Sequence, residues 1–172
     1  MLPGVTCTRL GADRCPGLLK PFVAQDGAII RLRVPGGRVR VSTLADLLAI
    51  GADHGAPLLS VTSRTNLQVR GLPDPLPEDV MVRAEATGLL PSPSHERARN
   101  ILAAPLAPDL QPLVAELDAA LCADPFLADL PGRFLFAVTD ATGAVLTEPV
   151  DAAYQSLTPT SGVIRLAGLG MP

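Results

Sequence analysis

Leu58 to Gly71 reads LLSVTSRTNLQVRG: two apolar stretches flank a polar turn that carries an arginine. A tight two-residue β-hairpin would place Asn-Gly or Gly-Gly at its turn. Here the turn is Ser63, Arg64, Thr65 and Asn66. Arginine presents a planar fork of donors that grips a carboxylate through two parallel hydrogen bonds. Arg64 is therefore a candidate anion ligand. Arg31 and Arg33 in the run DGAIIRLRVPGG, Gln68 and Arg70 in the hairpin, and Arg99 in HERARN supply further groups of the same chemistry. The alternative reading of any one of them is a solvated surface arginine.

The elements that would position these groups follow from apolar spacing. Ala28 to Val34 alternates, with Ile30, Leu32 and Val34 on one face and Arg31 and Arg33 on the other, so a half-buried strand is predicted. Pro35-Gly36-Gly37 ends it. Ser42 is the expected N-cap of a helix carrying Leu44, Leu47 and Leu48, which stops at Gly51 or Gly55. Leu58 to Thr62 and Leu67 to Arg70 form the hairpin strands, with Leu59, Val61, Leu67 and Val69 sharing the apolar face. Strand, helix, strand and strand make a compact α+β unit. The face opposite the helix then collects Arg31, Arg33, Gln68 and Arg70, with Arg64 at the turn. Like charges crowded there favour water or an anion above them.

Beyond residue 72, GLPDPLPEDV is a Pro-rich joint, Glu78 to Thr87 a short helix, and GLLPSPS a Pro/Ser-rich stretch. Asp109 to Ala123 spaces Leu110, Leu113, Val114, Leu117 and Leu121 as a helix, with Pro112 tolerated in its first turn. RFLFAVTDATGAVL predicts a hairpin around Asp140 to Gly143. DAAYQSL and GVIRLAG predict two more strands. His95-Glu96 has no second histidine at metal spacing, so a structural or exposed role is expected.

Composition narrows the function classes. In 172 residues, 48% are hydrophobic and only 3% aromatic, with no Trp. The net charge is −3. These values argue against disorder and against a nucleic-acid partner. Charge is unevenly placed. Arg14 to Arg70 holds eight basic and three acidic residues, whereas Gly71 onward holds five basic and thirteen acidic ones. A basic first part on an acidic chain suggests a local anion site. Lys20 is the only lysine, a choice that suits bidentate recognition and equally an arginine-rich coding bias. Cys7, Cys15 and Cys122 form no Cys-x-x-Cys and are expected as reduced thiols with no metal role. The start has no signal-peptide core and no apolar run reaches membrane-spanning length, so neither membrane contact nor export is expected, and the chain is read as cytoplasmic.

Taken together, DRCPGLLKPFVAQDGAIIRLRVPGG, LLSVTSRTNLQVRG, HERARNILAAP and LPGRFLFAVTD resemble the nitrite/sulfite reductase superfamily. More narrowly, they resemble its precorrin-3B synthase branch of cobalamin biosynthesis. The motifs run in order over Arg14 to Asp140. The resemblance implies an α+β fold: a ferredoxin-like half domain followed by the start of a nitrite/sulfite reductase-type α+β catalytic domain. The expected division is a 1–13 N-terminal arm, a 14–72 half domain, a 73–95 Pro/Ser-rich linker with a short helix, and a 96–172 partial catalytic domain.

The resemblance also implies roles. Arg33, Arg64 and Arg99 match positions that bind sirohaem carboxylates in the reductases, and Arg31, Gln68 and Arg70 are expected to assist. The ligand would be sirohaem or a precorrin tetrapyrrole. The family's 4Fe-4S cluster needs four cysteines, and this chain has three without that grouping. The cluster is thus expected only in a C-terminal half, and no catalytic residue is assigned here. The chain corresponds to the N-terminal part of a full enzyme. Expected partners are a tetrapyrrole substrate or cofactor and either a C-terminal-half subunit or a second copy of the chain. Two other readings stand beside the precorrin one: a fragment of a sirohaem-dependent nitrite/sulfite reductase, and a non-catalytic tetrapyrrole-binding module.

Overall fold

The structure is a computed structural model that describes residues 15–167. The proposed arm 1–13, Cys7 and the final LGMP lie outside the described residues. Two four-stranded sheets follow one another along the chain. The first contains β1 (Phe22–Ala24), β2 (Gly27–Leu32), β3 (Leu59–Val61) and β4 (Leu67–Leu72), in the order β1-β2-β4-β3 and antiparallel throughout. Its helices are α1 (Val41–Asp53) and α2 (Glu78–Ala86). The second sheet contains β5 (Ile101–Ala103), β6 (Phe136–Thr139), β7 (Ala152–Thr158) and β8 (Ser161–Leu166) in sequence order. Its helix is α3 (Gln111–Ala123).

Alternation builds the first core. Ala28, Ile30 and Leu32 point to the same side as Leu67, Val69, Leu47 and Ile50, and all are buried together. Each fully buried Leu or Ile contributes roughly 1.5–3 kcal/mol of transfer free energy. Helix α1 stops where its turn chemistry requires. The Gly55 N–H donates to the Ala52 carbonyl and the Ala56 N–H to the Gly51 carbonyl, with Gly55 at φ 75°. This paired closure needs a left-handed residue, and Gly55 adopts that conformation at little steric cost.

Several sequence expectations need correction. β2 ends at Leu32, so Arg33 and Val34 lie past the strand. Phe22–Ala24 adds a strand ahead of the expected one, because the Gln25-Asp26 turn folds it back on β2. Ser42 is inside α1 rather than its cap, since the cap position is Arg40 without a side-chain bond. Leu48 and Val61 are exposed, Val61 at 72%, while Thr43 and Ile50 complete the buried helix face. Val61 escapes burial because it stands at the open end of edge strand β3. The stretch 73–95 is more than a spacer: Val80 and Ala84 of α2 are buried in the first core, with Leu89 and Leu90 packed against it.

The Asp140–Gly143 hairpin is also overturned. A turn does form there, with Asp140 Oδ1 accepting the Thr142 N–H at 3.1 Å. The chain then crosses over, and β6 pairs in parallel with both β5 and β7. The expected strands at DAAYQSL and GVIRLAG are present as the β7–β8 hairpin. The helix expected over 109–123 is present from Gln111, preceded by a 3-10 turn at Pro108–Leu110. Val114 and Leu121 seat it against Ile101, Ala103 and Val138.

Candidate functional site

The LLSVTSRTNLQVRG turn is a three-residue loop. The Thr65 N–H donates to the Thr62 carbonyl at 2.9 Å, and the Thr62 N–H to the Asn66 carbonyl at 2.9 Å. Thr65 closes it at φ 57°, the one non-glycine with positive φ among the described residues. A type I turn followed by a left-handed residue is the usual geometry of this loop length, and glycine is the usual residue in that position. Thr65 occupies it as a β-branched residue, a conformation that costs on the order of 1–3 kcal/mol. Its hydroxyl donates to the Arg64 carbonyl at 2.7 Å, and the Asn66 N–H donates to Thr62 Oγ1 at 3.1 Å. The turn therefore holds Arg64 at its tip. Arg64 is partly exposed, yet its Nε is buried without a hydrogen-bond partner.

The other candidate side chains are engaged by groups of the same chain. Arg31 and Gln68 are direct cross-strand partners. With the Gln68 amide turned so that its oxygen faces the guanidinium, it accepts from Arg31 Nη2 at 2.7 Å and Nε at 2.9 Å. Arg70 reaches Asp26 at 3.2 Å on the surface. Arg33, expected on the solvent face, is 1% exposed, and its Nη1 donates to the Pro16 carbonyl at 3.0 Å. The Cys15–Lys20 segment covers it. Glu96 fastens that segment by accepting from the Leu18 N–H at 2.8 Å and the Leu19 N–H at 3.1 Å. Any side chain at Gly17 would collide with the Glu96 carboxylate, which accounts for the glycine in Cys-Pro-Gly.

Arg99 is 3% exposed, and its fork is closed by a carboxylate of the same chain. Nε and Nη2 donate to the two Asp118 oxygens at 2.7 Å each, and Nη1 donates to the Leu89 carbonyl at 2.8 Å. Nearby on α3, burial pushes the Cys122 thiol pKa up, making it a poorer nucleophile. His95 is buried and bonded at both ring nitrogens, to Ser92, Ser94 and the Asp124 carbonyl. Among the described residues no group of three or more His, Cys, Asp or Glu side chains could hold a metal ion. No helix there is long and apolar enough to cross a membrane.

One cleft joins the two sheets. It has a volume of about 540 Å3 and is walled by Gly36, Gly37, Ser63 and Thr65 on one side. Leu102, Ala103, Pro105 and Val145 line it as well. The second group sits at or beyond the carboxyl ends of parallel strands β5 and β6, the place where open α/β sheets receive ligands. Gly36 and Gly37 have φ of 70° and 69°. A Cβ on Gly36 would come within 3.0 Å of Val114, and one on Gly37 within 3.0 Å of Thr65. The Pro35–Gly37 turn therefore threads between α3 and the hairpin tip with no room for side chains. Sequence reasoning took that turn as the end of a strand and gave no role to Arg38 or Thr65. Their signal was adjacency to the glycine pair and to Arg64.

These features define an antiparallel half domain with an arginine-tipped hairpin, docked on a mostly parallel α+β sheet. Residues 23–86 match the family model described as the Nitrite/Sulfite reductase ferredoxin-like half domain. The match extends through α2, in keeping with that helix's place in the first core. The solved structure of the Mycobacterium tuberculosis NirA protein is similar over 84% of this chain, with 21% identity and a TM-score of 0.61. That likeness establishes the shared α+β fold. The chain spans 29% of the NirA chain. No curated protein is a significant match.

Proposed function

We propose that this chain is the tetrapyrrole-binding N-terminal part of a precorrin-3B synthase-like oxidoreductase of cobalamin biosynthesis, working in the cytoplasm. The observation that carries the reading is Arg64: a strained turn presents it, its Nε has no partner, and it lies within the matched half domain. A tetrapyrrole carboxylate would supply the missing acceptor once the Arg64 side chain swings out of its buried pose, and a hydrogen bond to a charged group contributes about 1.5–3 kcal/mol.

Arg64 leads the clamp in this reading, and Arg31 with Gln68 forms a second donor pair along the same sheet. Arg33 supports the clamp from beneath. Arg99 and Arg70 would join only by exchanging Asp118 and Asp26 for ligand carboxylates. These side chains would bind and orient the ring. Iron and a 4Fe-4S cluster, held by residues beyond this chain, would supply the redox chemistry. A C-terminal-half subunit is the partner this reading needs. The 14–72 and 96–172 modules would meet at the ring, joined by the 73–95 segment.

The family description covers nitrite and sulfite reductases as well, so sirohaem is the second candidate ligand. Titration with uroporphyrin, followed by absorbance, tests the clamp. Arg64→Ala should weaken binding by about tenfold or more, and equal affinity in parent and variant would sink the assignment. Preferential retention of sirohaem over metal-free precorrin-type rings would select the reductase reading.

A further inference from the structure

An open sheet ends in strands whose outward N–H and C=O groups lack a neighbour, and proteins blunt such edges by keeping them short, charged or broken by proline. Among the described residues, the edge strands β1, β3 and β5 have three residues each. The remaining edge, β8, has six. It contains no proline and a single charge, and that charge is tied to the neighbouring strand: Arg165 Nη2 donates to Gln155 Oε1 of β7 at 3.0 Å. Ile164 is 71% and Leu166 48% exposed. Tyr154, the partner of Ile164 on β7, packs against the core that α3 covers, but that cover does not reach Ile164.

The hydrogen-bond phase of β8 decides what its outer edge offers. The Ala167 N–H donates to the Asp151 carbonyl at 2.8 Å. Antiparallel ladders alternate, and the register from Ala152↔Leu166 to Gln155↔Val163 is unbroken. Arg165 and Val163 therefore bond to β7, whereas Gly162, Ile164 and Leu166 turn their backbone groups outward. These three are spaced symmetrically about Ile164. A two-fold axis there sets Ile164 against its own copy and Gly162 against the copy's Leu166, in both directions, each pair exchanging two backbone bonds. The Tyr154 ring fills the side-chain space at Gly162, so the incoming Leu166 would meet an apolar surface. Arg165 would fall opposite Val163 and not opposite its copy, so no like charges face each other.

We propose that β8 is a dimerisation edge, joined antiparallel to β8 of a second copy of this chain about a two-fold axis at Ile164. The symmetric spacing of the outward groups and the lack of a repelling charge are what favour the chain's own copy over a strand of another protein. The proposal stands independently of the tetrapyrrole reading, because no candidate ligand residue lies on β7 or β8.

Sedimentation of the full chain between about 5 and 500 µM tests it, with amide hydrogen exchange at both ends of that range. The chain should pass from monomer to dimer, and the Gly162, Ile164 and Leu166 amides should exchange about fivefold or more slowly at the high end. Ile164→Lys should weaken dimerisation by about tenfold or more, with an unchanged circular-dichroism spectrum. Val61→Lys, on the short edge strand β3, should leave the dimer intact. A chain that stays monomeric throughout, leaving β8 to a strand of another protein, overturns the proposal. So does a dimer that forms without slowing those amides, or one that Ile164→Lys leaves as tight as the parent.

Discussion

Asn66 Nδ2 donates to Asn100 Oδ1 at 2.9 Å, in the interior, across 34 residues of sequence. One residue ends the arginine-bearing hairpin turn and the other opens β5. Asn66 Oδ1 also accepts the Val34 N–H at 3.2 Å, and Asn100 Nδ2 faces the carbonyls of Arg97, Gly132 and Phe134. Two side-chain amides thus fasten the hairpin tip to both neighbouring segments. Removing either leaves buried polar groups unpaired, at about 1–3 kcal/mol. Asn66→Ala and Asn100→Ala should each lower the urea midpoint, with the double variant costing less than the two singles together. Additive losses would show that the two residues act separately.

Arg99 and Asp118 form a two-point ion pair in the second module, with both oxygens and two nitrogens engaged. Asp118→Ala should therefore destabilise by about 3 kcal/mol, because it strands a guanidinium that is almost wholly buried. Arg99→Lys should lose most of the same stability, as an ammonium cannot reproduce the two-point contact. Denaturant unfolding reads both. A midpoint unchanged in Arg99→Lys would free Arg99 for the ligand role that its motif implies.

Thr65 and Gly37 interlock at the cleft wall. Thr65→Gly should raise stability by about 0.5–1 kcal/mol by relieving the left-handed β-branched residue. Gly37→Ala should cost about 1–2 kcal/mol through its own positive φ and its approach to Thr65. Part of that cost is steric, so it should shrink in the Thr65→Gly background. Thermal unfolding of the four proteins measures the coupling. If Thr65→Gly lowers the melting temperature, the Thr65 hydroxyl contact with the Arg64 carbonyl outweighs the strain.

Asp79 at the start of α2 bonds His54 Nε2 at 2.8 Å. That hydrogen bond, helped by the charges of His54 and Arg83, holds its carboxyl below the usual 3.8. A depressed folded pKa gives a contribution present above the unfolded value and lost as pH falls through the folded one. Carboxyl-detected NMR should show Asp79 titrating below an ordinary aspartate, and His54→Ala should move its midpoint up. An unmoved midpoint would remove His54 as the cause.

The sequence by itself determined the alternation of β2 and β4, the apolar spacing of α3, and a hairpin with an arginine at its tip. These are local patterns, and side-chain period alone decides which face is buried. It also carried the half-domain motif, because Arg64 and Gln68 lie close together on one hairpin. What lies across the molecule was decided only by tertiary structure. Arg33 alternates as a solvent residue, yet the Cys15–Lys20 segment folds over it, held by a carboxylate 78 positions away from Leu18. Arg99 reads as a ligand arginine, yet α3 brings Asp118 into its fork. Asp140 to Gly143 reads as a hairpin, yet β6 pairs in parallel on both sides, since a turn motif specifies a local reversal but not the strand that will be the neighbour. Each of these outcomes depends on which distant group arrives beside a residue, and no local period encodes that.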